Sequence, residues 1–172
     1  MNQSCLTESS LLKSLGAMEC EQQNPHHCGT VWEHTVWVVE KLMRDGAGEA
    51  VIKAAWLHDA GKMEAKQVLN NGRAIFPGHA AISARIAEEY GESDYVVNLI
   101  RFHDASMDYA MGKPVEFDVM SKLGRLWCND LLLLMEADLA AQHPTFKMEQ
   151  KKTELKLFAV KLSEELNKKI TI

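Results

Sequence analysis

Paired cysteines, strand periodicity and long apolar runs are all missing from this chain. The four cysteines, Cys5, Cys20, Cys28 and Cys128, form no C-x-x-C pair. That removes the usual zinc-finger spacing and leaves reduced thiols in a cytoplasmic protein as the expectation. No uncharged apolar run approaches the ~18 residues of a membrane span. The longest, Leu131 to Met135, is bounded by Asp130 and Glu136, and the amino terminus MNQSCLTESS carries no basic-then-apolar signal. Positive charge is scarce: 19 Lys and Arg stand against 24 Asp and Glu, for a net charge of −5. This argues against a stable footprint on duplex nucleic acid, whereas a small phosphorylated ligand needs only local cations. No clear period-two run is present, and the one Asn-Gly dipeptide, Asn71-Gly72, sits in a loop-like stretch.

What is present is helical periodicity. Helices are expected over Leu6 to Met18, Thr30 to Asp45, Glu49 to Ala60, His79 to Tyr90, Asp94 to His103, Asp118 to Gln142 and Thr145 to Lys169. Thr30 and Glu33 have the spacing of a capping box, and Gly61 reads as a stop. Residues 63–78 and 104–114 read as connections. The 172 residues suit a single domain with a substantial core. The expected fold class is all-α, a bundle of about six to eight helices with a motif core over about 22–145 and a C-terminal amphipathic helix over about 145–169. The lysines of that last helix, Lys151 among them, read as a solvated face. The helix is long enough to serve a homodimer.

Polar side chains interrupt five apolar stripes. His34 falls at the margin of Val31, Thr35, Val38 and Leu42. His58 shares a face with Val51, Ala54 and Ala55, and Asp59 follows it. His79 aligns with Ile82, Ser83 and Ile86, and His103 falls between Leu99 and Ile100 on the wheel. Asp138 lies inside a stripe of Leu131, Leu134 and Met135. A buried carboxylate is costly unless it is neutralised or meets a cation, and no Lys or Arg lies one helical turn from Asp138. One ion held by His34, His58, Asp59 and Asp138 accounts for all four at once. Mixed imidazole and carboxylate donors suit Mn, Co, Ni, Fe or Zn, with Mg also admitted. His79 and His103 have three readings: a second metal bridged by Asp59, contact with a substrate phosphate, or core. Lys62, three residues past Asp59, is a candidate phosphate contact or else a solvated helix-end lysine. Arg73 is a candidate for the mouth of the site, and His103, if it is no ligand, for protonating a leaving group. His26 and His27 beside Pro25 either line the pocket or stand exposed on a loop, and His143 beside Pro144 is a candidate for the surface.

The order His34, His58-Asp59, Asp138, with Gly-Lys after the dyad, resembles the HD superfamily of metal-dependent phosphohydrolases. The segments NPHHCGTVWEHTVWVVEKL, WLHDAGKMEAK, FPGHAAISA, IRFHD and LLLLMEADLAAQHP are similar to the HD domain attached to bacterial CCA-adding tRNA nucleotidyltransferases. The nucleotidyltransferase head of those enzymes has no counterpart here, so tRNA nucleotidyl transfer is not implied. The resemblance implies metal binding by His34, His58, Asp59 and Asp138, one or two divalent ions, and roles near the metal for His79 and His103. It also implies hydrolysis of small nucleotide phosphoesters such as a nucleoside monophosphate or a 2′,3′-cyclic phosphate. Asp59, His103 and Lys62 are the candidate catalytic residues, and Lys62 and Arg73 the candidate substrate contacts. Two rival functions stay open: a nucleotide-sensing metal module without turnover, and a di-iron oxygenase on the same scaffold.

Overall fold

The computed structural model describes residues 3–24, 29–142 and 147–168, with side chains from residue 8 onward. The expectations attached to His26, His27 and His143, and to the ends of the last helix at Thr145 and Lys169, lie outside the described residues. The helices are α1 (Gln3–Ser14), α2 (Val31–Arg44), α3 (Glu49–Leu57), α4 (Lys62–Ala65), α5 (His79–Tyr90), α6 (Asp94–Phe102), α7 (Ala105–Ala110), α8 (Phe117–Lys122), α9 (Arg125–Ala140) and α10 (Met148–Lys168). The fold is all-α, as expected. Three of these helices, α4, α7 and α8, are only one or two turns long. The sole sheet among the described residues is an antiparallel pair, β1 (Gln67–Val68) with β2 (Ala74–Ile75).

Local chemistry explains most boundaries. The capping box forms: Glu33 N–H donates to Thr30 Oγ1 at 3.2 Å, and Thr30 N–H donates to Glu33 Oε2 at 2.8 Å. Such a cap stabilises a helix by about 1 kcal/mol. The helix expected over Asp118 to Gln142 is split into α8 and α9, because Gly124 adopts φ +94°, a conformation that strains any residue with a Cβ. The connection over 63–78 contains the hairpin, and Asn71-Gly72 is its turn, with Gly72 at φ +79°. Two-residue strands are too short to show a period of two, which is why composition hid them. Likewise α7 occupies the first half of the expected 104–114 loop, since Gly112 and Pro114 come only after it ends.

The central element is α3. Val51, Ile52, Ala54, Ala55 and Leu57 bury almost its whole circumference against α1, α2, α5, α6 and α9. Its small alanines let neighbouring helices approach, and that brings their polar interruptions to one point. Across the far side, α10 packs on α7, α8 and α9 through Leu155, Phe158 and Leu162. The Phe158 ring is fully buried, with its centroid 5.3 Å from that of Phe117 and 6.2 Å from that of Tyr109. Truncating Phe158 to alanine is expected to cost about 3–5 kcal/mol in chemical denaturation, through lost transfer energy plus a cavity. An unchanged denaturation midpoint would show that α10 is not anchored there.

The segment before α2 is tied down at several points. Val31 N–H donates to Cys20 O at 2.9 Å and Trp32 N–H to Ala17 O at 3.0 Å. Ala74 N–H donates to Gln23 O at 3.1 Å, and the Lys66 ammonium donates to Glu21 O. Leu12 and Ala17 form a second apolar cluster with Val31 and Ala60.

Candidate metal centre

Each imidazole in the interior is aimed by its own backbone. His58 caps the C-terminus of α3, His79 opens α5 and His103 caps α6. In all three, Nδ1 bonds the carbonyl three residues earlier: Ala55 O at 2.7 Å, Phe76 O at 3.0 Å and Ile100 O at 2.7 Å. A carbonyl only accepts, so Nδ1 carries the proton and, in the neutral ring, Nε2 presents a lone pair. This is the support that ligating histidines ordinarily receive from outside the coordination shell. His34 reaches in from the second turn of α2, and Asp138 from α9.

These Nε2 atoms converge on Asp59, which is 2% exposed. Asp59 Oδ2 lies 3.4 Å from His58 Nε2 and 3.6 Å from His34 Nε2, whereas Oδ1 lies 3.3 Å from His79 Nε2 and 3.9 Å from His103 Nε2. Asp138 Oδ1 lies 2.8 Å from His34 Nε2 and 3.8 Å from His58 Nε2. Two donor groups result, His34–His58–Asp138 and Asp59–His79–His103, each with its donor atoms within 4.8 Å of one another. Donors bound to one ion at about 2.0–2.3 Å cannot be more than about 4.6 Å apart, so both groups are close to ligating spacing. His58 Nε2 is buried and has no hydrogen-bond partner. A buried polar atom left so is costly, and a cation supplies what it lacks. The donor set fits a divalent ion.

The titration behaviour has the same origin. Burial opposes charge on His58, yet Asp59 and Asp138 outweigh it and raise its pKa to about 9. His79 is raised as well: burial pulls it down, and Asp59 and Asp104 prevail. His103 goes the other way, because burial holds it below its usual value against the pull of Asp104. Asp59 and Asp138 stand well below the carboxylate range despite burial, the first through Lys62 and His58, the second through His34 and His58. With no ion bound, protons and one lysine balance the carboxylates.

That lysine is Lys62, and the solvated helix-end reading is overturned. It is 5% exposed, with Nζ 2.7 Å from Asp59 Oδ2 and donating to Gln22 Oε1 at 2.8 Å. Arg73, on the hairpin, is exposed and lines a cavity of about 600 Å³ that Asp59, Lys62, His79, His103 and Asp138 also border. Three members of the site are not among its sequence-predicted residues. Asp104 sits 3.3 Å from His79 Nε2 through Oδ2, and its signal was in plain view, since His103-Asp104 repeats the dipeptide His58-Asp59. Gln22 and Lys151 gave no signal. Lys151 leaves the outer face of α10, borders the cavity and donates to Gln142 Oε1.

Gly61 is not a helix stop. Helix α3 has already ended at Leu57, and Gly61 has an ordinary φ of −75°. Its requirement is room: a Cβ there would fall 2.4 Å from His79 O and 2.7 Å from Ser83 N. The missing side chain lets α5 lie directly on the dyad turn, where Gly61 N–H donates to Ser83 Oγ at 2.8 Å. His79 reaches Asp59 because of this contact.

A family model, HD domain, matches residues 26–163, a span that holds all the donors above. No curated protein matches the chain. No described helix is long and apolar enough to cross a membrane.

Proposed function

This chain belongs to the HD-domain family of metal-dependent phosphohydrolases, and from that premise we propose that it hydrolyses small nucleotide phosphoesters, a nucleoside monophosphate or a 2′,3′-cyclic phosphate, in the cytoplasm. The observation that carries the reading is the pair of donor groups, His34–His58–Asp138 and Asp59–His79–His103, with Asp59, His79, His103 and Asp138 bordering a cavity of about 600 Å³ that Lys62, Arg73 and Lys151 also line. His34, His58 and Asp138 would hold one ion with Asp59 beside them, and Asp59, His79 and His103 would hold another. Mn, Co, Ni, Fe and Zn suit these donors, and Mg is weaker. When bound, such ions supply Lewis acidity towards a phosphoryl oxygen and lower the pKa of coordinated water towards ~7.

The remaining work falls to the chain. Lys62 keeps Asp59 ionised and places positive charge at the cavity floor. Arg73 and Lys151 border the same space from the hairpin and from α10, and draw a phosphate dianion inward. Phe76, Met107 and Met111 give the wall an apolar face for a base. His103 serves better as a lone-pair donor than as a general acid, because its lowered pKa keeps it neutral.

The test is phosphate release from a panel of nucleoside monophosphates and cyclic nucleotides, using protein stripped by a chelator and then reloaded. Activity is expected to vanish on stripping and return with Mn, Co, Ni or Mg. Return with redox-inert Mg excludes the oxygenase reading. No release from any ester with any metal sinks the hydrolase reading and leaves the sensing module and the oxygenase.

A further inference from the structure

Asp59–His79–His103 has only one carboxylate, and that carboxylate is shared with the first group. Asp104 stands beside it. Its Oδ2 lies 3.3 Å from His79 Nε2, and its Oδ1 lies 3.8 Å from His103 Nε2. Asp104 occupies the N-cap position of α7, yet its side chain makes no capping bond. It faces the two imidazoles instead, with 27% of the side chain exposed at the cavity. Both imidazoles have Nδ1 committed to a backbone carbonyl. Each Nε2 is thereby left facing both carboxylates: His79 Nε2 lies 3.3 Å from Asp59 and 3.3 Å from Asp104, and His103 Nε2 lies 3.9 Å and 3.8 Å from them.

We infer that Asp104 is the terminal carboxylate of a second divalent-cation subsite, as Asp138 is of the first. The two subsites then have matching donors: His34, His58, Asp138 and Asp59 Oδ2 in one, His79, His103, Asp104 and Asp59 Oδ1 in the other. The formal charge points the same way. Asp59, Asp104 and Asp138 carry three negative charges, and Lys62 is the one lysine within ion-pairing distance of any of them among the described residues. One divalent ion closes that balance, and a second brings the positive charge that a phosphoester dianion requires. His103-Asp104 is thus the functional twin of His58-Asp59. The inference rests on the metal-dependent reading above and adds Asp104 to the donors of its second site.

The test is metal binding to the full chain, by calorimetric titration with Mn²⁺ and by elemental analysis after dialysis. The wild-type chain is expected to take two ions. Asp104→Asn is expected to keep the first at unchanged affinity and to bind the second about tenfold or more weakly. Asp108→Asn is the control: it borders the same cavity but pairs with Lys113 at 2.7 Å, and it should keep both ions. If the amide does not fold, Asp104→Ser reads the same loss. Two ions of unchanged affinity in the Asp104 variant overturn the inference, as does a single ion in the wild type. Hydrolysis is a separate readout. Two ions lost to one in the variant, with no ester cleaved by the wild type, uphold Asp104 and refute the phosphohydrolase reading.

Discussion

Asp59→Ala is expected to lower kcat/KM for the preferred phosphoester by about 10³-fold or more with metal in excess. The effect is large because one carboxylate faces both donor groups, Oδ2 towards His34 and His58 and Oδ1 towards His79 and His103. Its loss weakens both ions together, whereas losing any single histidine weakens one. Metal stabilisation of a transferring phosphoryl group is worth several kcal/mol, and each ~1.4 kcal/mol is tenfold in rate. A second penalty falls on Lys62, whose ammonium, 5% exposed, loses its anion 2.7 Å away. Asp59→Asn keeps the shape and separates the two: its activity should fall nearly as far while the fold holds in circular dichroism. Wild-type turnover in either variant would end the hydrolase assignment.

Gly61→Ala is expected to destabilise the fold by about 3 kcal/mol or more. Overpacking a rigid contact costs about 1–3 kcal/mol, occasionally more. Here the obstructing atoms are backbone, His79 O at 2.4 Å and Ser83 N at 2.7 Å, so no side-chain rotation relieves the clash. Relief comes only by moving α5 away from the dyad turn, which stretches the Gly61–Ser83 hydrogen bond and withdraws His79 from Asp59. For a chain of this size the expected shift is about 10 °C in Tm. The variant that does fold should also lose affinity for metal at the His79 side. A Tm within 2–3 °C (about 1 kcal/mol) of the wild type would show that α5 is not held against the turn.

The sequence reading went furthest where burial and polarity conflict. His34, His58, His79, His103 and Asp138 stand on or at the margin of apolar stripes and Asp59 follows His58, and the fold brings all six into two adjoining donor groups. Helical period reveals which face of a helix is buried, so most of the α2 stripe was readable, though Val39 was not picked out. It does not reveal what lies opposite. Lys151 shares its helix with solvated lysines, and only the packing of α10 across α7 and α9 turns it to the cavity. Lys62 looked like a helix-end lysine because its two partners are distant kinds of information: Asp59 is local, but Gln22 is 40 residues back. Gly61 misled in a different way, since glycine signals both backbone freedom and close approach, and only the position of α5 distinguishes them. The split at Gly124 was the former case, passed over inside a long apolar pattern.

The stretch that supplies Gln22 and the apolar residues of α1 lies ahead of the matched span, which opens at residue 26. A fragment trimmed to that span would strip Leu12 and Ala17 from beneath Val31 and Ala60 and leave a buried ammonium without its amide acceptor. The smallest competent unit of this scaffold is therefore larger than its recognisable motif, and any shortened version must furnish a new acceptor for Lys62 or give up that charge.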